Sequence, residues 1–160
     1  DLDNFLPRAW FIKDLKVVKK ENIWQKITDP SFDPRDEAFI YDPIDFKVNT
    51  LGKITSFVKS IHKISLSTES TEDQFLVLSE IFYPKKWIAY VDGNPVTTLQ
   101  VNGLLRGVRI PKGSHTVEFI YDKTSFNRGL LISILCTLVS LGLIAIGLKR
   151  QTKNEVFQSN

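Results

Sequence analysis

One stretch restricts the options for this chain more than any other. Residues 129–148 read GLLISILCTLVSLGLIAIGL, without a charge or a proline. Arg128 bounds the run on one side, Lys149 and Arg150 on the other. A helix rises 1.5 Å per residue, so the run measures about 30 Å, the thickness of a bilayer's hydrocarbon core. It lies near the C-terminus, where a secretory signal peptide does not occur. What precedes it is polar and rich in β-formers. The sequence therefore predicts a water-facing domain at 1–127, a transmembrane helix at 128–149 and a short cytoplasmic tail at 150–160, with the lipid bilayer as the first partner.

Composition narrows the domain. A length of 160 residues fits one domain of roughly 120 residues plus the helix and tail. Charged residues make up 24% and apolar residues 42%, ordinary for a globular chain, which argues against disorder outside the ends. The net charge is only +3, and Lys and Arg form no basic stripe with interleaved aromatics, so nucleic acid is not an expected partner. Cys136 is the only cysteine and falls mid-membrane. With it no intrachain disulfide, zinc cluster or Cys–His nucleophile can be assembled. The sequence contains no methionine, which suggests a processed chain or a piece of a longer protein.

The pattern before the helix is mostly β. Leu15 and Val17 alternate with Asp14 and Lys16, the period of a half-buried strand. Lys20 to Ile27 predicts two helical turns, with Ile23 and Ile27 on one face and Trp24 beside them. The Asp-Pro pairs of DPSFDPRDEAF stop it, since the residue before proline avoids the α region. Phe46 and Val48, then His62, Ile64 and Leu66, continue the alternation. Phe75 to Leu78 is continuously apolar, as a strand covered on both faces would be. Trp87–Val91, Asp92-Gly93-Asn94-Pro95 and Val96–Val101 read as a hairpin, because glycine accepts the positive φ its turn needs. Val108 and Ile110 lead to a second turn, Pro111-Lys112-Gly113-Ser114. In His115–Tyr121, Val117, Phe119 and Tyr121 share one face. Many short strands at regular spacing predict an antiparallel β-sandwich, jelly-roll or immunoglobulin-like, with one short N-terminal helix and one C-terminal transmembrane helix. Asp122 to Asn127 reads as a polar joint too short for a stalk, which keeps the sandwich near the membrane.

The helix carries two further signals. Lys149, Arg150 and Lys153 follow it, against Lys123 and Arg128 just before it. The excess is slight and points to a cytoplasmic C-terminus, with the sandwich outside. Gly129, Ser133, Cys136, Ser140 and Gly147 fall on one face at about 100° per residue. Small residues let neighbouring backbones approach within a membrane. The stripe suggests packing against other transmembrane helices, of the same chain or of a complex.

The order of several motifs is similar to a known family. FLVLSEIFYPKKWIAYVDGNPV, then NGLLRGVRIPKGSHTVEFIYDKTSFNRGL and the apolar helix, resemble the C-terminal end of the YfhO-like bacterial membrane proteins. Members show a leucine-rich strand, a Tyr-Pro-Gly-Trp-like turn and a Val-Asp-Gly-Lys-like hairpin. Asn with a Phe-Arg-Gly-Val-like strand, a Pro-x-Gly-x-His-x-Val hairpin and a closing helix follow. LPRAWFIKDLKVV and DPSFDPRDEAF look like the family's lead-in, so the resemblance covers nearly the whole chain. It departs where Lys85-Lys86 replaces the Gly before Trp87 and Leu105 replaces Phe. The resemblance implies a multi-pass, glycosyltransferase-like protein of the C-type membrane fold in the bacterial cytoplasmic membrane. Such proteins are thought to move sugar from a polyprenyl-phosphate carrier to an envelope polymer. Their catalytic acid lies in an early extracytoplasmic loop, upstream of Asp1, so no catalytic residue carries over to this segment and none of its side chains implies a cofactor.

The candidate chemistry within the chain is modest. Asp33, Asp36, Asp42 and Asp45 cluster in a Pro-rich loop but match no calcium-loop spacing. A solvated turn is their ordinary reading. His62 on an apolar strand face and His115 after a turn have no metal-ligand spacing, so no metal is expected. There is no nucleophile elbow of the G-x-S-x-G type and no glycine-rich phosphate loop. Tyr83, Trp87 and Tyr90 offer ring faces for an envelope glycan, with Asn102 and Arg106 as polar partners. Against that, aromatics at strand starts are mainly core residues. Three functions fit: an accessory segment of a glycosyltransferase-like membrane protein, a tethered carbohydrate-binding module, or a structural subunit of a membrane complex.

Overall fold

The computed structural model describes residues 5–42, 44, 46 and 48–158, with 147–158 described as helix backbone alone. Eleven strands and two α-helices follow in order. They are β1 (Ala9–Phe11), β2 (Asp14–Val17), a 3-10 turn (Lys20–Asn22) running into α1 (Ile23–Ile27), β3 (Glu37–Ile40), β4 (Lys53–Lys59) and β5 (Lys63–Ser70). Then come β6 (Gln74–Ile81), β7 (Trp87–Val91), β8 (Asn94–Val96), β9 (Leu99–Val101), β10 (Leu105–Ile110), β11 (Gly113–Tyr121) and α2 (Thr124–Gln158). The chain is mainly β and forms two compact units, Asp1–Asp122 and Lys123–Asn160.

The first unit is a sandwich. One antiparallel sheet has the order β1-β6-β10-β9, the other β4-β5-β11-β7-β8. The facing sides meet in a core of Phe11, Leu76, Leu78, Val108 and Ile110 from the first sheet and Ile64, Leu66, Ala89, Val117 and Phe119 from the second. Successive strand residues point to opposite faces, so β6 sends Leu76 and Leu78 inward and Phe75 and Val77 outward. The outward pair is buried too, under Trp10, Ile12, Leu15, Ala38 and Ile40 of the N-terminal segment. This second layer explains the unbroken apolar run at 75–78.

The winding is that of a jelly roll. Strands β5 and β11 pair in one sheet, β6 and β10 in the other. Gly113 lies opposite Ser70 and Ile110 opposite Gln74, so both strand pairs pass between the sheets at the same end, as one folded ribbon. In an immunoglobulin sandwich the crossings fall at opposite ends. The Asp-Gly signal works as read: Asp92 and Gly93 have φ of 48° and 79°, a type I′ geometry matched to strand twist, with Val91 opposite Asn94.

Several expectations need correction. Val96–Val101 is not one strand. It divides at Thr97-Thr98 into β8, an edge of one sheet, and β9, an edge of the other. Pro95 has no N–H for a second neighbour and so fits β8 only as an edge. Phe46 and Val48 are buried but lie outside any strand; they fill space over the outer face rather than join a ladder. Val17 and Trp24 are exposed, whereas Leu15 and Ile23 beside them are buried, so each element turns inward a narrower stripe than its apolar residues suggested. His62 is exposed and precedes β5, its ring 6.0 Å from Tyr121. Strands β2 and β3 form a parallel pair, Leu15 opposite Ala38 and Val17 opposite Ile40, which only a connecting segment such as α1 makes possible.

The second unit is α2. It starts at Thr124, inside the expected polar joint, where the Asn127 N–H donates to the Lys123 carbonyl at 2.9 Å. Its apolar part, Thr124–Ile146, comprises 23 residues with none of them buried. At 1.5 Å per residue that is about 35 Å, enough to cross a bilayer.

Candidate functional site

Tyr83, Trp87, Tyr90, Asn102 and Arg106 do not converge. Trp87 opens β7 on the inward face with Ala89 and Val91, half-buried. Its ring meets Tyr121 edge-on, centroids 5.6 Å apart. Arg106, only 3% exposed, sets its guanidinium over Trp87 at 5.0 Å and over Phe119 at 5.7 Å. Burial lowers the Arg106 pKa while the Glu80 carboxylate raises it. Its Nε and Nη1 have no hydrogen-bond partner among the described residues. The ring faces supply the attraction that ordinary acceptors would give.

Tyr83 lies in the turn just before Trp87, whereas Tyr90 and Asn102 lie elsewhere. Tyr90 is three residues from Trp87 and therefore on the opposite, outer face of β7. Asn102, 9% exposed, accepts the Phe39 N–H at its Oδ1 (2.8 Å) and donates its own N–H to the Phe39 carbonyl (2.9 Å). That pins the outer layer to the β9–β10 turn, where Asn102 holds a φ of 49°. Tyr83 is exposed in the β6–β7 turn, its carbonyl accepting the N–H groups of Lys86 and Trp87. Trp87 and Arg106 are thus packing residues in this geometry.

A concavity lies at the end of the sandwich that carries the β7–β8 and β10–β11 turns. A cleft of about 660 Å³ opens where β8 and β9 part. Its walls are Ile44, Val91, Val96, Leu99 and Pro111, and its polar groups are Asp73, Asp92, Asn94, Thr97, Arg109 and His115. Asp73 binds Arg109 Nη2 at 2.7 Å and accepts the Lys112 N–H at 3.1 Å. The Arg109 guanidinium, then that N–H, hold the Asp73 carboxyl below its usual range. Asp92 accepts the Thr116 N–H at 2.8 Å and faces His115 Nδ1 at 2.6 Å. His115 Nε2 lies 3.0 Å from the Lys112 carbonyl. A carbonyl only accepts, so Nε2 carries a proton, and the carboxylate favours a second at Nδ1.

His115 is therefore a clamp between two turns and not a free base. The Asp92 hydrogen bond raises its pKa, and the same bond lowers that of Asp92. The signs give the window. The His115 contribution is complete below the imidazole's unfolded value and fades as pH rises through its raised folded value. The Asp92 contribution is complete above the carboxylate's unfolded value and fades as pH falls through its lowered one. The clamp is tightest between about pH 4 and 6.5. We expect His115→Gln to lower the denaturation midpoint most near pH 5 and progressively less above neutrality, about one midpoint series per pH unit being sufficient to see it. A difference that stays constant or grows with pH would sink this assignment.

Sequence reasoning did not single out Asp73, Asp92 or Arg109 as a group. Asp92 belongs to the β7–β8 turn and His115 to the start of β11, and the pairing of Val91 with Val117 brings them together. The acidic loop is dispersed: Asp33 accepts the Arg35 N–H and Asp36 pairs with Lys13 at 2.8 Å, while Asp45 lies outside the described residues. Among the described residues no three His, Cys, Asp or Glu side chains gather to hold a metal. On α2, Gly129, Ser133, Cys136 and Ser140 are exposed, and the Ser140 hydroxyl donates to the Cys136 carbonyl at 2.9 Å. The surroundings of Gly147 lie outside the described residues.

A jelly-roll sandwich is followed in the chain by an apolar helix long enough to cross a membrane. Residues 41–133 match the family described as bacterial membrane protein YfhO. The match covers more than half of the chain, from the end of the outer layer through the sandwich strands into α2, and the chain belongs to the YfhO family. No curated protein and no solved structure matches it.

Proposed function

We propose that this chain is the C-terminal accessory part of a glycosyltransferase-like membrane protein that moves sugar from a polyprenyl-phosphate carrier to an envelope polymer. The sandwich, 1–127, lies on the extracytoplasmic side of the bacterial cytoplasmic membrane; 128–149 spans the bilayer and 150–160 forms the cytoplasmic tail. The small-residue face of α2 packs against other transmembrane helices. The observation that carries this reading is the family match, whose residues 41–133 take in β4 to β11 and the start of α2.

Within it the sandwich positions the acceptor polymer. The cleft between β8 and β9 has apolar walls and a polar rim, suited to rings that carry hydroxyls. Its acids and bases are bound to one another, so it holds a ligand without moving a proton. The test uses the full-length protein in membranes. Asn94→Trp fills the cleft from an exposed position and is expected to lower sugar transfer from the carrier about ten-fold or more, mainly through the acceptor's KM. Unchanged transfer rejects the cleft, and no transfer by the unsubstituted protein rejects the glycosyltransferase reading.

A further inference from the structure

The two ends of the sandwich differ in character. At the end with the cleft, the exposed residues include Thr71, Asp92, Asn94, Lys112 and Ser114. At the other end they expose large apolar side chains. Ile61 is 85% exposed, Ile81 64%, Tyr83 54% and Leu104 50%. Lys85 and Lys86 follow Tyr83 in the same turn.

These residues belong to three connections that meet at one place. The Tyr121 N–H donates to the His62 carbonyl at 2.9 Å, tying the β4–β5 turn to the end of β11. The Asp122 N–H donates to the Lys86 carbonyl at 2.6 Å, tying in the β6–β7 turn. The Phe82 N–H donates to the Leu104 carbonyl at 2.8 Å, which adds the β9–β10 turn. All three thus surround the strand end from which the chain continues to Thr124, the start of the apolar span. Asp122 and Lys123 alone intervene, and at about 3.5 Å per residue they keep this end within roughly 10 Å of the first residue of α2.

We propose that this tip is a membrane-docking surface: Ile61, Ile81, Tyr83 and Leu104 enter the headgroup–acyl boundary, and Lys85 faces anionic lipid phosphates. Apolar side chains scattered singly over a surface need no explanation, but a cluster confined to one tip does. Water penalises such a cluster, while the bilayer interface favours aliphatic and tyrosine side chains flanked by lysine. Lys59 and Lys63 nearby are paired with Glu80 and Glu118, and Lys85 is exposed in the β6–β7 turn. The docking does not depend on sugar transfer.

The full chain tests this in nanodiscs of phosphatidylglycerol and phosphatidylethanolamine. In a Cys136→Ser background, single cysteines replace Ile61, Leu104 and, as a control at the opposite end, Ser114. All three positions are exposed, so the replacements leave the core intact. Each is labelled with an environment-sensitive fluorophore and quenched by acyl-chain nitroxide lipid or by aqueous iodide. Labels at 61 and 104 are expected to show at least about two-fold quenching by the lipid nitroxide and little by iodide, as groups seated at the acyl boundary do. The label at 114 shows the reverse. If 61 and 104 behave like 114, the tip is in water. If neither reagent reaches them, protein covers the tip. Either result overturns the proposal.

Discussion

Gly107→Val is expected to destabilise the sandwich by about 3 kcal/mol or more, as overpacking a closed core does. Gly107 sits mid-strand in β10, between Val77 of β6 and Leu99 of β9. A Cβ there would lie 2.4 Å from Phe75 Cε1 and 2.8 Å from Val101 Cγ2. Neither neighbour has room to retreat. Phe75 is fully buried and its ring meets Phe46 at 5.9 Å. Denaturation of the chain in detergent micelles, followed by tryptophan fluorescence, measures the loss. A double-mutant cycle identifies the cause. In a Phe75→Leu background, Gly107→Ala should cost less than it costs alone, because the nearest atoms it strikes, those of the Phe75 ring, are gone and the Val101 Cγ2 contact remains. Equal costs in both backgrounds would place the constraint in the backbone instead.

Phe119→Ala is the second large effect, about 3–5 kcal/mol in the same assay. Phe119 is fully buried on β11, the strand that pairs with both β5 and β7, so the cavity opens at the centre of the inter-sheet core. The substitution also removes one of the two rings under Arg106. Arg106→Met should be close to neutral by comparison, since it removes ring contacts together with two donors that have no partner among the described residues. A large loss on Arg106→Met would show that the guanidinium is held by more than Trp87 and Phe119.

Much of the sandwich was legible because its signals are local. Alternation placed β5, β7 and β11. The Asp-Gly pair placed the β7–β8 turn. The unbroken run at 75–78 announced a strand with two covered faces. What covered the second face was not legible. Leu15, Ala38 and Ile40 come from a segment that folds back over β6, and nothing local in 9–48 states where it packs. The division of Val96–Val101 was hidden for a related reason, since the residues of β8 and β9 have similar β propensity and differ only in the sheet they join.

The candidate sites show the same division. That Trp87 and Tyr90 occupy opposite faces follows from their spacing alone, so their separation was already present in the sequence. The bond between Asp92 and His115 was not, because it depends on the register between β7 and β11. The sequence by itself determined that this chain has an apolar span, that a β domain precedes it and which turns join the strands. These follow from hydropathy, period and glycine's access to positive φ, all properties of neighbouring residues. Tertiary structure alone decided that Ile61, Ile81, Tyr83 and Leu104 stand exposed at one end of the sandwich, and that Arg106 is buried against two rings. Those depend on which distant strands lie side by side, and burial and charge pairing are set by that placement.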